Sequence, residues 1–306
     1  MDIFSSGRKK FIIAALVTCS CCILMVMFPS MSLYSARKGI SLWATDVMPA
    51  LMPFFICANF LTGLGIIGYM KPAWFTFFMS VLSGYPMGAK IIGDMRRQGE
   101  ISQGNAKKLL SYCSTSGPAF MMGAVGAGML GSEKSGLVIA VAHYSGALIN
   151  GVVYGRAYDD DKAALLLRTT LNDENFQDLF TESILKSLKS LGIILAYMIL
   201  FMLLTDLIQA SGALFMFEDE YTRALIKGII EMTVGCNAIS ECGHITETAK
   251  CIACSFVISW GGLSVMGQTM SMLTDSDIPI SYIFITKLTH GLFSAAVAFV
   301  IAPFVL

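Results

Sequence analysis

Ser83-Gly84-Tyr85-Pro86-Met87-Gly88-Ala89-Lys90, followed by Gly99-Glu100-Ile101-Ser102 and Ser114-Thr115-Ser116-Gly117-Pro118, interrupts hydrophobic sequence long enough to enter a membrane. A second, similarly ordered set lies in the other half of the chain: Glu231-Met232-Thr233-Val234-Gly235, then Gly243-His244-Ile245-Thr246, then Ser259-Trp260-Gly261-Gly262. Glycine, proline and hydroxyl residues free the backbone from helical hydrogen bonding. At membrane depth such backbone survives only where it is buried in protein or lines a wet cavity, and paired interruptions in two halves of a chain point to a transport site.

Composition agrees with a membrane setting. Apolar residues make up 55% of the 306 and charged residues 14%, with 20 Phe and 20 Met, against about 25% charged in ordinary globular chains. The chain is read as an all-α polytopic membrane protein. A formal net charge of zero gives no electrostatic basis for binding nucleic acid. Eight of the nine cysteines sit in apolar runs and are expected as small buried hydrophobes. Cys251-Ile-Ala-Cys254 lacks a second pair and lies in an expected helix, so it is read as packing rather than a metal or redox site. No H-E-x-x-H, G-x-S-x-G or Walker sequence occurs, so neither an enzyme nor nucleotide-driven transport is expected and no cofactor is assigned.

Hydropathy predicts spans at 11–29, 47–69, 109–131, 133–155, 188–210, 249–272 and 281–305. The shorter segments 73–94 and 225–241 have turn-prone centres and are predicted to be re-entrant hairpins. Residues 31–46, with Arg37 and Lys38 among Leu33, Tyr34, Ile40 and Trp43, are predicted as an amphipathic helix lying at the membrane surface. The N-terminal Arg8-Lys9-Lys10 and its long apolar sequel read as a retained anchor, residues 1–30. Positive charge places the N-terminus, Arg96, Arg97, Lys107, Lys108 and the polar linker 156–185 in the cytoplasm, with Glu218-Asp219-Glu220 outside. Asp275-Ser276-Asp277 then falls inside without basic neighbours in sequence. Units 31–155 and 186–306 emerge as an inverted repeat. Gly99, Ile101, Ser111, Gly117, Met122 and Gly123 recur in step as Gly243, Ile245, Ser255, Gly261, Met266 and Gly267, and His143 matches His290. The acidic run Asp159-Asp160-Asp161 is read as a solvated face of the linker.

Candidate binding residues follow from the breaks. Lys90 follows the first and Glu231 precedes the second; an intramembrane charge is costly enough to imply a partner or water. Two readings stand: contact with substrate or a coupling ion, or a structural ion pair between the two hairpins. Ser83-Gly84-Tyr85-Pro86 and Ser116-Gly117-Pro118 are expected to turn helix-start N–H groups toward an anion. Thr115, Ser116, Thr233, Asn237, Ser259 and Gln268 offer neutral hydrogen bonds, and Gly117 and Gly261 permit close approach. His143 and His290 serve either interhelical packing or proton coupling. Gly123-Ala124-Val125-Gly126-Ala127-Gly128 is read as a helix-packing surface.

Around Leu82-Ser83-Gly84-Tyr85-Pro86-Met87-Gly88-Ala89-Lys90, Tyr112-Cys113-Ser114-Thr115-Ser116-Gly117-Pro118, Gly261-Gly262-Leu263-Ser264-Val265 and Lys287-Leu288-Thr289-His290-Gly291, the chain resembles the YlbJ family of sporulation integral membrane proteins. The likeness runs over roughly residues 35–305 and includes Met48-Pro49-Ala50-Leu51-Met52-Pro53-Phe54-Phe55. It implies a nucleoside-recognition or Gate domain, a fold related to concentrative nucleoside transporters, and movement of dipicolinic acid across the outer forespore membrane. The segment between Met70 and Phe75 is shorter than the family's usual stretch. The expected partners are therefore a small organic anion, the bilayer and a coupling ion, with homo-oligomers left open. Rival readings are passage of a nucleoside or other small metabolite, and a membrane scaffold for spore maturation that transports nothing.

Overall fold

A computed structural model describes residues 3–65, 72–155 and 175–306. Among these residues the chain is helical without strands. Helix α1 (Ile3–Met27) gives way at Phe28 to α2 (Pro29–Leu42), and the segments Thr18–Met27 and Pro29–Thr45 meet at 108°. Pro29 suits the start of α2 because its ring presets φ and its missing N–H would have had no helical acceptor. A π-helical turn, Trp43–Val47, leads directly into α3 (Met48–Gly63).

Residues 31–46 do not form a separate surface helix. They pack along α8 (Phe176–Ala210): Ser35 donates to Asp206 at 2.5 Å, and the Trp43 indole donates to the Leu191 carbonyl at 3.0 Å. Further on, Asn59 donates to the Ser187 hydroxyl at 2.8 Å. As one chain ascends its contacts descend the other, so α2 and α3 run antiparallel to α8. At Gly39 an added Cβ would lie 3.2 Å from Ile199, so glycine lets the backbones close. Arg37 and Lys38, expected to face headgroups, remain exposed with Leu33, Tyr34 and Ile40, while the opposite face is spent on the neighbouring helix.

The first hairpin is α4 (Pro72–Ser83) and α5 (Met87–Arg97), turned at Gly84-Tyr85-Pro86. Next come α6 (Gln103–Cys113), an unwound stretch at 114–118, a π-helical segment Ala119–Met129, and α7 (Glu133–Gly155). After α8 and a 3₁₀ turn (Ala213–Met216), the second hairpin is α9 (Glu220–Ile230) and α10 (Met232–Glu241), broken at Glu231. Helices α11 (Glu247–Trp260), α12 (Gly262–Met272) and α13 (Ile280–Val305) complete the chain. The order long helix, hairpin, interrupted helix, crossing helix thus occurs twice.

Among the described residues four elements are long and apolar enough to cross a bilayer: Glu133–Gly155, Phe176–Ala210, Glu247–Met272 and Ile280–Val305; the bent pair of α1 and α2 makes a fifth if it is one span. Two expected spans are corrected. The segment 47–69 holds the 16-residue α3, and 109–131 is divided where α6 ends at Cys113, with helix resuming beyond Gly117. Helix α8 begins inside the expected linker; the Asp159-Asp160-Asp161 run lies outside the described residues.

The hairpins open to opposite ends. Arg96, in the last turn of the first, pairs with Asp277 at 3.3 Å, and Arg97 donates to the carbonyls of Met272 and Thr274 at 3.0 and 2.8 Å. At the second hairpin's open end, Lys250, on the first turn of α11, donates to the Ser240 carbonyl at 2.6 Å, and Glu247 of that turn accepts from Ser135 at 2.5 Å. Glu247 and Met272 bound a 26-residue helical span, about 39 Å at 1.5 Å per residue. The two latches therefore sit at opposite ends of α11 and α12. Asp275-Ser276-Asp277 also gains in space the basic neighbours it lacks in sequence.

Candidate functional site

Helices α7 and α13, the last of each unit, meet at small residues. A Cβ on Gly146 would come within 2.8 Å of the Ser294 nitrogen, and glycine there permits close contact. Asn150 donates to the carbonyls of Ser111 and Thr286 at 2.7 and 3.0 Å and accepts from Thr289 at 2.7 Å. It ties the interrupted helix of the first unit to the final helix of the second. On this seam the rings of His143 and His290 lie 4.7 Å apart.

The seam holds the breaks. His143 Nε2 accepts the Ser116 N–H at 2.9 Å, so its proton resides on Nδ1, which donates to Ser259 Oγ at 2.7 Å. One imidazole thereby bridges the interruptions of both units. His290 Nε2 faces the His143 carbonyl at 2.9 Å, and must carry a proton to donate to it. Both bonding patterns fit neutral rings and support the packing reading of the pair.

The first hairpin's tip enters the same place. Gly84, at φ 77°, occupies the left-handed region natural to glycine, and a Cβ there would fall 2.7 Å from the Gly117 nitrogen. Tyr85 donates to the Ile258 carbonyl at 3.1 Å and accepts from Lys287 Nζ at 2.6 Å. Lys287 also donates to the Ser114 carbonyl at 3.1 Å and lies 4.1 Å from the Tyr85 ring centre, a cation–π distance. Ser80 closes the hairpin onto the unwound stretch: it donates to the Cys113 carbonyl, accepts the Thr115 N–H at 3.2 Å, and lies 2.8 Å from Thr115 Oγ1. Ser83 and Ser114, both buried, present hydroxyls without a hydrogen-bond partner. A buried hydroxyl left so is costly unless water or a ligand completes it.

The second hairpin reaches this region through backbone. Gly262, at φ 71°, packs against its tip: a Cβ would be 3.0 Å from both the Ile230 carbonyl oxygen and the Met232 nitrogen. Gly261, at φ 83°, lies beside the Lys287 chain, where an added Cβ would be 3.5 Å from Lys287 Cε. Glu231 caps α10 by accepting the Val234 N–H at 2.8 Å.

Of the residues expected from sequence, Ser83, Gly84, Tyr85, Thr115, Ser116, Gly117, Ser259 and Gly261 gather here, with Pro86 capping α5 behind the tip. Gln268 is buried one turn along α12, donating to Ser264 at 3.4 Å. Three expectations change. Lys90 forms no ion pair with Glu231; it donates to Asn59 at 2.5 Å and Asp94 at 2.8 Å, because its side chain points back along α5 toward the open end. Asn237 is exposed, bonded at 2.8 Å to Glu241 one turn along its own helix. The Ser116 N–H, of a segment expected to face an anion, is taken by His143, and the adjoining Thr115 N–H by Ser80. Thr233 is half-buried on the first turn of α10. Sequence reasoning alone does not place Lys287, Ser80, Asn59 or Asn150 in the site. Among the described residues no group of three or more His, Cys, Asp and Glu is arranged to hold a metal.

No family model and no solved structure matches the chain. It is 28% identical over 317 aligned residues to the sporulation integral membrane protein YlbJ of Bacillus subtilis (strain 168), covering 89% of this chain and 78% of that protein. With several helices able to span a bilayer and this likeness to an integral membrane protein, the chain is a multi-pass integral membrane protein similar to the sporulation integral membrane protein YlbJ.

Proposed function

We propose that the protein is a secondary transporter of a small organic anion, dipicolinate during endospore formation, with the substrate held between the first hairpin's tip and the two interrupted helices. The observation that carries this is convergence: His143 joins Ser116 of one interruption to Ser259 of the other, while Tyr85 on the hairpin reaches Ile258. Helices interrupted at membrane depth supply polar backbone where a substrate can be held. Hairpins opening at opposite ends supply two routes to it. The sporulation setting of the Bacillus subtilis relative supports dipicolinate as the anion, and the lack of a nucleotide-hydrolysing motif favours gradient-driven movement.

The test is flux of labelled dipicolinate and labelled uridine into liposomes containing the purified protein, with ion gradients imposed in turn. Dipicolinate should enter well above protein-free liposomes and faster than uridine. Faster uridine flux would favour a nucleoside carrier, and no flux of either under any gradient would favour a scaffold.

A further inference from the structure

Three charged side chains are buried where the two units meet or near it, and they differ in what neutralises them. Lys90 has the Asp94 carboxylate at 2.8 Å. Glu231 lies at the start of α10, where the helix dipole and the Val234 N–H favour negative charge. Lys287 is 3% exposed, and among the described residues no carboxylate pairs with it. An ammonium has three donors. Two are used, on the Tyr85 hydroxyl and the Ser114 carbonyl, both neutral.

We infer that Lys287 is the substrate-binding cation, receiving one carboxylate of the anion on its third donor while the unpartnered hydroxyls of Ser83 and Ser114 complete the cradle. This rests on the anion-transport reading and assigns its specificity to a residue on α13. An intramembrane lysine is retained at considerable cost unless an opposite charge arrives. The two acceptors that hold it are neutral, and the Tyr85 ring lies beside it. Both orphaned hydroxyls belong to the segments it touches: Ser114 supplies its carbonyl to the ammonium, and Ser83 precedes the Gly84-Tyr85 tip by one residue. A ligand carboxylate has acceptor capacity for all three donors. A neutral nucleoside would leave the charge uncompensated.

Binding to the purified protein should be measured with pyridine-2,6-dicarboxylate, pyridine-2-carboxylate and the neutral pyridine-2,6-dimethanol. The wild type should prefer both acids to the diol. Lys287→Gln and the apolar near-isostere Lys287→Met should lose about tenfold to a hundredfold in acid binding, the range for a hydrogen bond to a charged group, with diol binding little changed. Lys90→Gln should keep the preference. A wild type that binds no acid would sink the transport reading itself. A wild type that prefers acids and a folded Lys287→Met that still does so would overturn the assignment of Lys287 alone. If neither lysine variant folds, the double change Ser83→Ala and Ser114→Ala decides: several-fold weaker acid binding is expected, and an unchanged preference overturns the inference.

Discussion

The two units share an order of elements but treat their interruptions differently. In the first, residues 114–118 are unwound and stitched by side chains: Ser80 holds Thr115, His143 holds Ser116, and Lys287 holds the Ser114 carbonyl. In the second, helix α11 passes into α12 through two left-handed glycines, Gly261 and Gly262, with backbone packed on backbone. The hairpin tips differ in the same sense: Tyr85 reaches across to the other unit, whereas Glu231 caps its own helix. The first unit's interruption is thus held by polar side chains, Lys287 of the second unit among them, and the second unit's interruption by backbone shape.

That contrast makes substitutions at matched positions unequal. Gly262→Val should have the largest effect. It places a branched side chain at φ 71° and against the second hairpin's tip, adding an overlap to about 1–3 kcal/mol of backbone strain, and the amount of folded protein recovered in detergent should collapse. Gly117→Ala in the other unit adds a Cβ with ordinary contacts of 3.5 Å or more to Gly84 and Ser83. Its melting temperature should stay near that of the wild type; equal damage from the two would erase the distinction between a stitched and a shape-packed break.

Next in size is the histidine pair. His143→Ala strands the buried Ser116 N–H and removes the partner of Ser259, a cost of about 1–3 kcal/mol for the unsatisfied donor alone. His290→Ala removes a bond to a carbonyl that already serves as a backbone acceptor and should cost less, about 1 kcal/mol for the bond apart from packing. Thermal unfolding in detergent ranks them, and the reverse order would contradict the bridging role of His143.

Lys90 sharpens the comparison further. A double-mutant cycle of Lys90→Met with Asp94→Leu should show a coupling of about 0.5–3 kcal/mol, whereas Lys90→Met with Glu231→Gln should be additive within about 0.5 kcal/mol. Strong coupling in the second cycle would restore the ion pair between hairpins that the geometry excludes. The smallest effect is expected at the latch beyond the first hairpin, where Asp277 is well exposed beside Arg96. Asp277→Asn should cost at most about 1 kcal/mol and less as salt rises.

Much of this architecture is legible in the residues, because Ser83-Gly84-Tyr85-Pro86, Ser114–Pro118 and Gly261-Gly262 interrupt apolar sequence where backbone hydrogen bonding requires a turn or break. The fate of residues 31–46 is not, since one amphipathic pattern serves a helix against headgroups and a helix bonded to a neighbour through Ser35 and Trp43. The site's charge was misread for a related reason. Lys90 stands close to a break in sequence, but Asp94 follows it at the i, i+4 spacing that pairs side chains on one helix, a signal present in the residues themselves. The spacing of Asn237 and Glu241 carries the same local explanation. Lys287 is remote in sequence from Tyr85, and their meeting depends on how α13 packs across the first unit, which no local pattern encodes.

Opposite insertion of the two hairpins underlies every contrast drawn between the units, and it is open to direct measurement. Gln98→Cys and Gly243→Cys, placed singly in a protein whose native cysteines are replaced, should be labelled with a membrane-impermeant thiol reagent in oriented vesicles. Position 98, next to Arg97 and its contacts to α12, should react from the cytoplasmic side alone, and position 243, between α10 and α11, from the opposite side alone. Reaction of both positions from one side would contradict the inverted arrangement and, with it, a single site reached from two faces.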